Sequence, residues 1–229
     1  MKLILITVIG LILISFVFLF KFKFKFKHYR DVLPQFPLNK FKNICGNKIV
    51  EVGDFTTTTG KASLYPNKTE NYKLKDWFDK NNLKFGNKQT RLSFGNNSKN
   101  IISKFIFKWI NKNKHLFPSS LKNRNSDCEY TLRISRGKWE FPCHFDEVDN
   151  YMFILSGNRH AKIDGNKIIL HPRDILYFES GTDHCFNCKS ENDLNIVLNI
   201  VFKGKKILRS FTKDYPIQIK RINKKFDFI

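Results

Sequence analysis

The chain has 229 residues and a formal net charge of +21, with 41 Lys and Arg against 20 Asp and Glu. That length suits one domain plus an appendage. Five cysteines, at 45, 128, 143, 185 and 188, lack the spacing of a disulfide framework, which argues against a small stapled module and favours free thiols in a reducing compartment. The basic balance fits nucleic acid or anionic membrane as a partner. An abundance of Asn, Ile, Phe and Lys, all with A/T-rich codons, accounts for it equally well without one.

Residues 3–20, LILITVIGLILISFVFLF, carry no charge. Eighteen residues at about 1.5 Å each reach roughly 27 Å, close to the roughly 30 Å hydrocarbon core. In the KFKFKFK stretch that follows, Lys21, Lys23, Lys25 and Lys27 can snorkel to headgroups. The run is too long for the apolar region of a signal peptide, and no small-x-small cleavage site follows. Residues 1–30 therefore read as a single transmembrane helix with its basic juxtamembrane stretch. Only Lys2 precedes the span, whereas four lysines and Arg30 follow it, so the rest of the chain is expected on the cytosolic side. Sequons at Asn67 and Asn96 argue for the opposite side.

Residues 31–127 read as flanking strands and helices. Residues 31–66 read as short irregular strands, among them KIVEVG (48–53), followed by a Thr-rich turn at 56–59. Tyr72, Leu74, Trp77 and Phe78 predict a helix over 69–81 with Thr69 as its N-cap. Ile101, Ile102, Phe105, Ile106 and Ile110 predict a second over 98–114, capped by Ser98. From residue 128 strands alternate with turns: 129–135, 141–146, 150–156, 159–164, 167–170, 175–178, 184–188 and 194–203. The predicted fold is mainly β, a jelly roll over 128–204 with N-terminal helices, followed by a basic tail at 205–229.

HFDEVDN (144–150) places His144 and Asp146 on one face of a strand end. A two-histidine, one-carboxylate facial triad needs a third ligand from a later strand, and His184, beyond a Gly-containing turn, supplies it. His160 and His171 sit at strand edges and read as surface residues, His115 ends a helix, and His28 lies beside the apolar run. Cys185 and Cys188 form a lone CxxC, which without a second pair reads as strand residues.

HFDEVDNYMFILSGNR, together with DILYFESGTDH and NIVLNIVFKG, resembles the JmjC and cupin-like oxygenases, which use Fe(II) and 2-oxoglutarate. The resemblance covers roughly residues 32–204. It implies a double-stranded β-helix, iron held by His144, Asp146 and His184, and 2-oxoglutarate held by Asn150, Arg159 and Asn199. It also implies hydroxylation or demethylation of a protein or nucleic-acid substrate. Arg159 stands where the family usually has Lys, Phe141 where it has Thr or Ser, and Arg173 and Glu179 where it has Gly and Pro. The span between ligands is also short. These departures leave two alternatives: a cupin-like binding or scaffold protein without turnover, and a cupin metalloenzyme that uses zinc or manganese without 2-oxoglutarate.

Overall fold

The alternation of polar and apolar residues after position 128 produces two facing antiparallel sheets. The computed structural model describes residues 26–54, 68–78, 88–95, 98–122, 128–146, 148–189 and 194–202. Its strands are β1 (Phe26–Tyr29), β2 (Ile49–Asp54), β3 (Lys68–Lys73), β4 (Lys88–Gly95), β5 (Cys128–Arg136) and β6 (Trp139–His144), then β7 (Asp149–Ser156), β8 (Arg159–Ile163), β9 (Asn166–Leu170), β10 (Ile175–Phe178), β11 (His184–Cys188) and β12 (Leu194–Phe202). The large sheet runs β1-β10-β7-β12-β5-β4-β2-β3 and the small one β6-β11-β8-β9. Helices α1 (Leu38–Cys45), α2 (Ile101–Asn113) and the short α3 (Ser119–Lys122), with 3-10 turns at Leu74–Phe78 and Lys114–Leu116, complete the described elements.

Each face of the large sheet has its own apolar cluster. Leu132, Ile134, Tyr151, Phe153, Leu198 and Ile200 pack with Phe41, Ile106 and Trp109 of the helices. Met152, Ile154, Leu176, Phe178 and Val197 point the other way and pack with Ala161, Ile163 and Phe186 of the small sheet. Strand β7 is thus buried on both faces, so YMFIL is a continuous apolar run instead of an alternating one. Full burial of a side chain such as Phe153 contributes about 1.5–3 kcal/mol.

The space between the sheets is not wholly apolar. On β5 the inward residues Thr131 and Ser135 pair across to Asn199 and Asn195 of β12, and all four are buried. Outward Leu132 and Ile134 alternate with them. The polar face of this strand therefore points into the barrel, where it can serve a ligand.

Three expectations are corrected. The predicted helix over 69–81 is instead strand β3 followed by a 3-10 turn, Leu74–Phe78, with 79–81 outside the described residues. Pairing with β2 along its whole length, Val50 opposite Tyr72 and Val52 opposite Glu70, overrides the local helical spacing. Helix α1 forms where irregular strands were expected, burying Phe41 and Cys45 on one face at an i, i+4 spacing. Helix α2 is capped by Asn100 and not Ser98: the Ser103 amide donates to Asn100 Oδ1 at 2.7 Å. No helix among the described residues is long and apolar enough to cross a membrane. The run 3–20, the turn 56–59, the sequons at Asn67 and Asn96 and the tail 205–229 all lie outside the described residues.

Strand β1 ties the N-terminal end of the described chain to the barrel. The buried Asp174 carboxylate accepts the Asp31 amide at 2.9 Å and the His171 amide at 3.0 Å, and meets His28 Nε2 at 2.8 Å. Burial alone would raise its pKa, but the His171, Asp31 and His28 contacts outweigh burial and hold the carboxyl below its ordinary value. Stability from this group is therefore present above the unfolded carboxylate pKa and is lost as pH falls through the depressed folded value. Asp174→Asn is expected to lower stability at neutral pH and flatten its acid dependence, read from urea midpoints between pH 7 and pH 3. Arg173 sits beside this carboxylate with φ +82°, a conformation that favours glycine. Its side chain offsets that cost by donating to the Leu33 carbonyl at 2.7 Å and pairing with Asp31 at 2.8 Å.

Candidate metal centre

His144 ends β6, His184 begins β11, and the two stand opposite each other in register. Asp146 follows two residues after His144, and its carbonyl accepts the Gly181 amide at 2.8 Å. Nearby, Asp149 Oδ1 accepts the Ser180 amide at 2.9 Å. These bonds join the loop carrying Asp146 to the turn that delivers His184. The positive φ of Gly181, +74°, gives that turn a geometry few other residues adopt.

The three side chains converge. One ligand atom from each of His144, Asp146 and His184 lies within 4.8 Å of the others. Asp146 Oδ2 is 3.6 Å from His184 Nε2, and Oδ1 is 3.9 Å from His144 Nε2. Adjacent ligands on an octahedral ion with bonds near 2.1 Å stand about 3 Å apart. Closing the gap needs less than about 1 Å for each of the two Asp146 pairs and at most about 1.8 Å between the histidines, within reach of side-chain rotations. His184 Nδ1 lies 2.9 Å from the Thr182 carbonyl. A carbonyl only accepts, so Nδ1 carries the proton and Nε2 presents its lone pair to the site.

Burial is the main cause that lowers the His184 pKa, with repulsion from His144 and Arg133 in the same direction and Asp146 and Thr182 opposing. The neutral, ligating form is favoured. Phe178 and His144 flank the ring, each with its centroid 4.4 Å away, and Phe186 lies at 5.4 Å. The donor set and its surroundings fit one divalent first-row ion, with Asp146 as the most exposed ligand and the open side of the site beside it.

The other candidate residues face the same interior. Arg159 is 2% exposed, and its Cζ lies 5.8 Å above the Phe186 ring, two residues along β11 from His184. Desolvation lowers its pKa to about 10, with Cys188 acting in the opposite sense, so it remains a cation at neutral pH. Asn150 on β7 and Asn199 on β12 are both buried, and neither Oδ1 accepts a hydrogen bond among the described residues. Unsatisfied buried acceptors are costly and suit a donor arriving with a ligand. The Phe141 side chain lies outside the described residues.

None of the remaining histidines joins the cluster. His171 Nδ1 is 3.1 Å from Asn158 Oδ1, His28 contacts Asp174, and His115 is exposed. Sequence reasoning missed the Thr182 carbonyl and the Arg133 cation. The alternation of TLRIS on β5 could have marked Arg133 as inward-facing.

The cysteine expectation is corrected as well. Cys143 and Cys185 form a disulfide across β6 and β11, with Cα atoms 4.2 Å apart. Each is the chain neighbour of a candidate ligand, His144 or His184. Cys185 faces away from the site, as strand alternation requires, and can therefore meet Cys143 on the opposite face of the small sheet. Cys188 turns inward and accepts a hydrogen bond from Asn195 Nδ2 at 3.1 Å, so the CxxC is split between two faces.

Residues 130–201 match the cupin domain family Cupin_2. Among solved structures, a cupin 2 domain-containing protein from Halorhodospira halophila aligns at 14% identity over 42% of this chain and 66% of its own, with a TM-score of 0.34. An RmlC-like cupin from Shewanella frigidimarina aligns at 16% identity over 36% and 72%, with a TM-score of 0.32. KdgF from a Halomonas species aligns at 16% identity over 36% and 74%, with a TM-score of 0.31. No curated protein matches the chain.

Proposed function

We propose that the chain, whose residues 130–201 match a cupin domain family, is a metal-dependent cupin enzyme in which His144, Asp146 and His184 hold one divalent ion. The observation that carries this reading is the convergence of two imidazoles and one carboxylate within 4.8 Å at one rim of the barrel. Thr182 fixes the His184 tautomer, Phe178 and Phe186 limit solvent around it, and Arg133 contributes positive charge. Such a site favours substrates that bring an anionic or oxygen-donor group to the ion. Equilibrium dialysis of the full chain against Mn(II) tests the reading. One ion per chain supports it, whereas no saturable binding leaves the binding or scaffold alternative.

A second, finer reading is favoured by Arg159, Asn150 and Asn199: an Fe(II)- and 2-oxoglutarate-dependent dioxygenase that hydroxylates or demethylates a protein or RNA side group. Fe(II) would supply dioxygen activation there and 2-oxoglutarate the reducing electrons. The Arg159 guanidinium can pair with the far carboxylate through two parallel N–H donors, in a pocket where water competes poorly. The Asn150 and Asn199 amides, turned to present Nδ2, can donate to the carboxylate and keto oxygens of 2-oxoglutarate along the same wall. Arg159→Ala is expected to weaken 2-oxoglutarate binding by about 1.5–3 kcal/mol, and Arg159→Lys by less. Calorimetric titration with Mn(II) present measures both. A wild-type chain that binds Mn(II) but not 2-oxoglutarate leaves a cupin metalloenzyme that does without it.

A further inference from the structure

The strand register places both ends of the described chain at the rim that carries the candidate metal centre. Phe26, the first residue of β1, pairs with Phe178, which in turn pairs with Asn150 at the start of β7. Phe178 is the residue whose ring lies 4.4 Å from that of His184. Phe202, the last residue of β12, pairs with Asp149 on the same rim. The opposite rim carries Gly137, Gly157 and the His171–Arg173 turn. It lies six residues further along β7, about 20 Å away.

The two segments that leave this rim are strongly basic. Upstream of Phe26, Lys21, Lys23 and Lys25 alternate with Phe, and the uncharged run ends at Phe20. Six Cα steps separate Phe20 from Phe26, a reach of at most about 22 Å. Downstream, residues 203–229 carry nine Lys and Arg against two Asp. The folded rim itself has exposed Asp164 and Asp183, so the flanking segments, and not the barrel surface, supply the attraction to negative charge.

We propose that the metal rim faces an anionic membrane surface, so that the site takes its substrate from lipid-borne molecules at the bilayer interface. An apolar run long enough to span the bilayer ends within about 22 Å of the rim and cannot be separated from it by a long linker. Basic segments on both sides add electrostatic attraction to anionic headgroups. The orientation stands on the register and the apolar run. The catalytic consequence rests on the metal-enzyme reading above.

The test places the full chain in nanodiscs of phosphatidylcholine and phosphatidylserine doped with a gadolinium-chelate lipid and follows its glycine amides by NMR. Gly165 and Gly181 report the metal rim, and Gly137 and Gly157 the opposite one. The proposal predicts broadening concentrated at Gly165 and Gly181, weaker by at least about threefold in discs of phosphatidylcholine alone. Uniform broadening, broadening at Gly137 and Gly157, or a chain that fails to enter the discs would overturn it. So would equal broadening in neutral discs. Single-stranded RNA that abolishes the gadolinium effect by occupying the rim would overturn it in favour of a nucleic-acid partner. Mn(II) titration of the same discs separates the two readings, since lost metal binding with an intact gadolinium pattern refutes the enzyme and not the orientation.

Discussion

His184→Ala is expected to abolish stoichiometric metal binding while the chain stays folded. His184 is the most buried of the three ligands, and it is held from both sides: Thr182 sets its tautomer, and Phe178 and Phe186 set its plane. Removing it leaves one imidazole and a carboxylate on a loop, too few fixed donors to hold an ion against water. The vacated space is lined by Phe178 and Phe186, so some stability is lost as well, about 1–3 kcal/mol by analogy with other large-to-small changes. His184→Gln keeps much of the volume and separates the two effects. It should restore stability towards wild type without restoring metal, as read by dialysis and urea unfolding of the same preparations.

The second large effect concerns the disulfide. Cys143 and Cys185 are 42 residues apart, and a loop of that size confers about 3–4 kcal/mol in the chain-entropy picture. Because the bridge joins the two strands that end in His144 and His184, opening it also loosens the register on which the ligand spacing depends. Full reduction by a dithiol, or Cys143→Ser, is expected to lower the urea midpoint, to raise the m-value as the unfolded chain expands, and to weaken Mn(II) binding severalfold. Cys45→Ser should lack the effect on metal binding, since that thiol is buried among the helices. Unchanged metal affinity on reduction would show that pairing of β6 with β11 suffices to set the site.

The disulfide also bears on compartment. Free thiols were one of two arguments for the cytosolic side, and pairing of Cys143 with Cys185 removes it. The basic residues after the apolar run remain the argument for that side, against the disulfide and the two sequons. Protease protection and a glycosidase shift in sealed microsomes distinguish the two orientations.

Much of the barrel was legible because its periods are short and its turns are marked. Gly157 and Gly165 take positive φ, +73° and +84°, at turns that their sequence context announces. A Cβ at Gly157 would stand 2.8 Å from the Leu194 carbonyl, so that position tolerates no side chain without a shift. The N-terminal part was harder. β3 carries a helical spacing of apolar residues yet pairs with β2, a partner that local sequence does not reveal. α1 shows only two buried residues, Phe41 and Cys45, too few to display a period.

The candidate site divides in the same way. The proximity of His144, Asp146 and His184 was legible because strand alternation and one Gly-containing turn fix where side chains point. Backbone groups such as the Thr182 carbonyl have no side-chain signature. The Cys143–Cys185 pair depends on the register of two strands 42 residues apart, which no local spacing encodes.

Anomalous X-ray scattering from crystals of the chain grown with Mn(II) decides whether His144, Asp146 and His184 form a metal site. One anomalous peak is expected about 2.0–2.3 Å from His144 Nε2, His184 Nε2 and an Asp146 carboxylate oxygen. A peak elsewhere, or none between these three side chains at saturating Mn(II), would contradict it.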